Sequence, residues 1–154
     1  MGTAAADALE AMLRDAAGTP AAEAELVALE RGREAHPGRT GLLLHATAGT
    51  ERGTRLALAS LGDADESVRL TAVKLVAGSG WVDAGDALRE AMAGDPSPLV
   101  RAAAARAATG ATDLRTERVL EEMARSDVDP LVRDSAARAL AERAGREAPV
   151  LRAE

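Results

Sequence analysis

From Pro98 to Ala108 the apolar positions Val100, Ala103, Ala104, Ala107 and Ala108 recur at spacings of three and four, which predicts one buried helix face. A stripe of Ala84, Ala87, Leu88 and Met92 predicts another helix from about Val82 to Ala93, and Val119, Leu120 and Met123 a third from Leu114 to Arg125. Short polar breaks separate the stripes. Ser97-Pro98 and Asp129-Pro130 each place a capping oxygen before proline at the first helical position. Gly78, Ser79 and Gly80 close one helix, and Thr109-Gly110 close another.

The stripes repeat. Val68-Arg69, Val100-Arg101 and Val132-Arg133 follow one another at intervals of 32 residues. The same offset relates Asp63, Asp95 and Asp127, then Ala72, Ala104 and Ala136, then Lys74, Arg106 and Arg138, then Val76, Ala108 and Leu140. A fixed period between roughly 20 and 50 residues marks stacked supersecondary units. Each unit is a helix pair that cannot bury its apolar stripe alone. Stacking buries it, and the alanine columns let facing helices approach closely.

The pattern divides the chain into repeats at 63–94, 95–126 and 127–154, the last lacking a full second helix after Pro130 to Arg143. Residues 35–62 read as a degenerate unit with helices near Thr40 to Ala48 and Glu51 to Leu61. Residues 1–34 read as a capping pair, Ala4 to Ala17 and Pro20 to Arg33, with Leu9, Met12, Leu13, Leu26, Val27 and Leu29 as its apolar side chains. The expected architecture is one all-α domain of about nine helices.

Composition narrows the function classes. Apolar residues make up 47% of the chain but aromatics only 1%, Trp81 alone, which favours closely packed helices over a β-sandwich. Charged residues at 29% with a net charge of -6 argue against general nucleic-acid binding, which needs a basic surplus. With no cysteine, disulfides, thiol nucleophiles and zinc–thiolate sites are excluded. Asp7 and Glu10 interrupt the apolar core a signal peptide would need, and Ala6 stands where myristoylation wants serine or threonine. These features lead to the expectation of a cytoplasmic protein with no membrane span, and the arginine-for-lysine bias (Lys74 is the sole lysine) to that of a bacterial source.

"DPSPLVRAAAARA", from Asp95 to Ala107, resembles the HEAT repeat, and more narrowly the short bacterial HEAT-like units of the phycobilin-lyase type. The resemblance runs from Asp63 to about Leu140. It implies a right-handed α-solenoid of stacked antiparallel helix pairs. It also implies an internal ladder in which Asp63, Asp95 and Asp127 bond with Arg69, Arg101 and Arg133 of neighbouring units. The HEAT-like glycosylases of alkylated DNA use aromatic residues and a catalytic aspartate against a basic groove, features that one tryptophan and a net charge of -6 do not supply.

No catalytic constellation emerges. His36 and His45 have no carboxylate at ligand spacing, so they read as capping or packing residues. "AGSGWVDAGD" lacks the Lys-Ser/Thr and preceding strand of a phosphate loop. Asp83/Asp86 and Glu121/Glu122 read as solvated helix faces rather than acid–base pairs. No catalytic residue, cofactor or metal is expected.

The expected function is a non-catalytic protein-binding scaffold or adaptor. The alternative is a subunit that supports a catalytic partner in a multi-protein enzyme or lyase-type assembly. In stacked helix pairs the second helices line the concave side. The expected partner surface is therefore Arg52, Asp83, Asp86, Arg89, Glu90, Arg115, Arg118, Glu121 and Glu122, with Trp81 as an interface anchor. Arg89 occupies the column of Glu121, and Asp86 that of Arg118, an alternating-sign strip suited to a charged protein segment. The open C-terminal end near Val150 and Leu151 offers a homodimer contact.

Overall fold

Ser97 and Asp129 cap helices at the two predicted positions of the computed structural model, which describes residues 47–79, 84–110 and 113–147 together with Ala24, Val27, Thr40, Gly41 and Leu44. Six α-helices occupy these stretches: α1 (Glu51–Ser60), α2 (Glu66–Ala77), α3 (Ala84–Gly94), α4 (Pro98–Ala107), α5 (Leu114–Ser126) and α6 (Pro130–Glu147). A single 3-10 turn, Ala108–Gly110, follows α4, and no strand occurs among the described residues. The three helices expected nearer the N-terminus lie outside these residues, apart from the five isolated positions, all helical.

The 32-residue period is preserved in hydrogen bonds. Asp63, Asp95 and Asp127 each accept, through Oδ1, the backbone N–H two residues on, at 2.9, 2.8 and 2.9 Å. Two positions later the capping residue takes over. Asp65 accepts from Ser67 N–H (2.8 Å), Ser97 from Leu99 N–H (3.2 Å) and Asp129 from Leu131 N–H (2.8 Å), each satisfying a donor that the helix leaves unpaired. Arg69, Arg101 and Arg133 then turn back, their Nη1 donating to the carbonyls of Asp63, Asp95 and Asp127 at 2.9, 2.9 and 2.7 Å. The aspartate–arginine columns are thus the fastening of the turn that opens each unit.

The chain divides into two compact units, Met1–Ser79 and Gly80–Glu154. In the first, α1 packs on α2, with Leu56 and Ala57 of α1 and Val68, Ala72, Val73 and Val76 of α2 buried. Thr50 caps α1 by accepting from Gly53 N–H (3.0 Å), and Gly49, at φ 79°, makes the left-handed turn before it. Gly53 is required for another reason. A Cβ there would lie 1.9 Å from the Thr47 carbonyl oxygen, so helix and preceding turn touch backbone to backbone.

In the second unit α4 is packed by α3 on one side and α6 on another, and α5 by α3 and α6. Ala102, Ala103, Ala104 and Ala105 are all buried, although four consecutive helical residues sweep about 300° around the axis. Only small side chains allow neighbours that close around so much of one helix, which accounts for the alanine run. Larger apolar groups come from the surrounding helices: Leu88 and Met92 of α3, Leu120 and Met123 of α5 and Val132 of α6. Burying each is worth about 1.5–3 kcal/mol. The column alanines Ala72, Ala104 and Ala136 are fully inaccessible.

One helix limit differs from expectation. α6 runs on to Glu147 rather than stopping near Arg143, while the expected start of α3 at Val82 lies outside the described residues. Arginines fasten the C-terminal part of α6: Arg143 lies against Asp113 O (3.5 Å), and Arg146, in the extra turn, donates to Thr109 O.

Candidate functional site

The second helices α3 and α5 lie side by side in the second unit, tied by an arginine that sequence reasoning assigned to the surface. Arg89 of α3 donates through Nη1 to Asp113 Oδ1 (3.2 Å) and Thr116 Oγ1 (3.0 Å), and through Nη2 to Asp86. Its side chain is only 17% exposed. Asp113 caps α5 by accepting from Thr116 N–H (2.9 Å), a bond that, with Arg89 beside it, holds its carboxyl below the usual range. Arg89 is therefore a clamp between second helices. The expectation of a solvent-facing guanidinium fails there because the neighbouring helix presents a cap carboxylate.

The other expected partner residues divide clearly. Asp86, Glu90, Arg115, Arg118, Glu121 and Glu122 are exposed on α3 and α5, and Arg52 is half-buried on α1 in the first unit. Trp81, Asp83, His36, His45, Val150 and Leu151 lie outside the described residues. Among the exposed charges, Glu122 is occupied by Ser126 and Arg125, whose bonds hold its carboxyl below the usual carboxylate range. Glu90, Arg115, Arg118 and Glu121 make no hydrogen bond or ion pair with described residues.

An open groove of about 350 Å³ lies between the C-terminal part of α3 and the stretch of α5 from Arg118 to its C-terminal end. Met92, Ala93, Val119 and Met123 supply apolar lining, and Arg118, Glu122, Ser126 and Asp127 the polar edge. Asp127 is committed elsewhere. Arg101 grips it with a two-pronged ion pair, Nε to Oδ2 and Nη2 to Oδ1, both at 2.9 Å, with both side chains nearly buried. These hydrogen bonds depress the Asp127 pKa and raise that of Arg101.

Sequence reasoning missed Arg143, which is 6% exposed near the start of α5, 3.9 Å from Glu117. Its position on α6 beside Ala139 and Gly145 carries no signal that distinguishes it from the exposed Arg138. No group of acidic or histidine residues among the described positions is arranged to hold a metal ion. No helix among them is long and apolar enough to cross a membrane.

A family model, described as HEAT repeats, matches residues 54–141, the stretch that contains the three aspartate–arginine turns. The chain belongs to the HEAT-repeat family. No curated protein and no solved structure shows a significant match. The all-helical architecture of the described residues is consistent with that membership, and the Arg101–Asp127 pair joins one repeat to the next within the second compact unit. HEAT folds carry very different activities, so function has to be argued from the surface.

Proposed function

We propose that this HEAT-repeat chain is a non-catalytic protein-interaction module, a scaffold or adaptor whose partner docks on the exposed row of the second helices. The reading extends the architecture to a right-handed solenoid of about nine helices with that row on its concave side. The observation that carries it is the open α3–α5 groove, apolar in its lining and approached by the unpaired Arg115 and Arg118. HEAT repeats generally mediate protein–protein interaction, which supports the same assignment. The chain works in the cytoplasm without cofactor, metal, nucleic acid or membrane, and the partner meets it through charge and through the groove.

The first helices are nearly identical between units: Ala72, Ala104 and Ala136 are buried, and the exposed Lys74, Arg106 and Arg138 repeat one charge, whereas Asp86 and Arg118 reverse sign at one column of the second helices. A surface that differs between units discriminates between partners better than one that repeats. Reversing Arg115 and Arg118 to glutamate tests the assignment. Capture of the host partner should fall at least tenfold, with a thermal midpoint within about 2 °C of the parent, since exposed substitutions rarely cost more than about 0.5 kcal/mol. Capture unaffected by the reversal but abolished by changes at Arg106 and Arg138 would place the partner on the first helices instead.

A further inference from the structure

We propose that the α3–α5 groove receives an acidic protein segment carrying a large apolar anchor residue, with carboxylates beside the anchor meeting Arg118 and Arg115. The inference rests on the interaction-module reading and adds the chemistry of the partner. Three charged side chains line the groove, and two of them are already neutralised. Asp127 is held in the two-pronged pair with Arg101, and Glu122 lies against Arg125 and Ser126. Arg118 is the one lining charge without a partner among the described residues. Arg115, three residues earlier on the same helix, is likewise exposed and unpaired. The lining is therefore left with one unpaired charge, the positive Arg118, while the unpaired Glu90 and Glu121 lie outside it, although the chain as a whole carries -6. A cationic segment would meet two unpaired arginines here, and an acidic one satisfies them.

The lining names the rest of the ligand. Met92 and Met123 form the floor with Val119, and methionine side chains adjust their shape to an inserted apolar group at little cost. A space of about 350 Å³ suits one or two side chains and not a folded domain surface. The open form of the groove admits them on a helical or extended segment.

Methionine methyl resonances of the full chain, labelled with carbon-13, provide the test, because only four methionines occur and two of them line the groove. Three synthetic twelve-residue peptides serve as ligands: leucines flanked by glutamates, the same leucines flanked by lysines, and the glutamates with leucine replaced by serine. The first should shift the Met92 and Met123 methyls saturably and bind at least tenfold more tightly than the other two. Arg118→Glu should weaken it at least tenfold with the thermal midpoint unchanged. No shift at millimolar peptide, equal binding of the lysine peptide, or shifts that arise from protein concentration alone would overturn the proposal, the last by making a second copy the occupant. Displacement of the glutamate peptide by phosphatidylglycerol vesicles would overturn it in favour of a membrane surface. Failure here leaves its own mark: if the Arg115/Arg118 reversal still abolishes capture of the host partner, the surface is right and the acidic-anchor assignment alone is wrong.

Discussion

Breaking the Arg101–Asp127 pair should cost more than any exposed ion pair in this chain. Both side chains are close to nine-tenths buried, 13% and 11% exposed, and the pair is held by two bonds of 2.9 Å in the bidentate geometry arginine provides. Exposed pairs contribute roughly 0–1 kcal/mol, and removal of one partner from a fully buried pair costs about 3–5 kcal/mol. Asp127→Ala also removes the acceptor of the Asp129 N–H at 2.9 Å and strands a guanidinium that keeps only the Asp95 and Pro96 carbonyls. We expect a loss of about 3 kcal/mol, which for a chain of this size lowers the thermal midpoint by about 6–12 °C. A double-mutant cycle with Arg101→Met and Asp127→Ala, followed by urea unfolding, should return a coupling of about 2 kcal/mol. The coupling has a predictable pH dependence. Asp127 is depressed in the folded state, so the unfolded chain takes up its proton first as pH falls, and stability present above the unfolded value of about 3.9 is lost only on descent through the lower folded value. A coupling below about 0.5 kcal/mol at pH 7, or one that disappears already between pH 7 and 5, would refute this reasoning.

Gly53→Ala should destabilise by about 1–3 kcal/mol in urea unfolding, against the gain of about 1 kcal/mol that helix propensity alone predicts, because its Cβ would meet the Thr47 carbonyl at 1.9 Å. Ala104→Leu should cost about 1–3 kcal/mol through overpacking of a fully inaccessible column, and a neutral result would mean that α4 has room its burial denies. Arg89→Ala should lower stability by about 1.5–3 kcal/mol while Arg118→Ala stays within about 0.5, since Arg89 clamps Asp113 and Thr116 and Arg118 bonds to nothing described. Equal effects in thermal melts would remove the distinction between clamp and surface.

The parts of this fold that repeat were legible in the sequence, and the parts that occur once were not. Asp63, Asp95 and Asp127 recur because every unit must fasten the same turn, and their spacing gave away both the period and the helix starts. Alanine at 72, 104 and 136 signalled close packing for the same reason. Arg89, Arg118 and Arg143, by contrast, are three arginines on polar helix positions, yet one is a clamp, one is exposed and one is buried. Nothing local separates them. Their fates are decided by what the adjacent helix presents: the cap of α5 for Arg89 and the Asp113 carbonyl for Arg143. The groove was half legible, since Leu88, Met92, Leu120 and Met123 were expected in the core, but Val119 is only partly covered and lines the opening instead.

Site-specific photo-crosslinking tests the central claim, that the second helices and not the first form the partner surface. A benzophenone amino acid would replace Glu121 on α5 in one sample and Arg138 on α6 in another, both exposed positions outside the arginine pair that recruits the partner. After irradiation in host lysate, a discrete adduct should form from position 121, disappear in the presence of excess parent protein, and be absent from position 138. An adduct that forms from position 138 alone, or equally from both, would contradict the account.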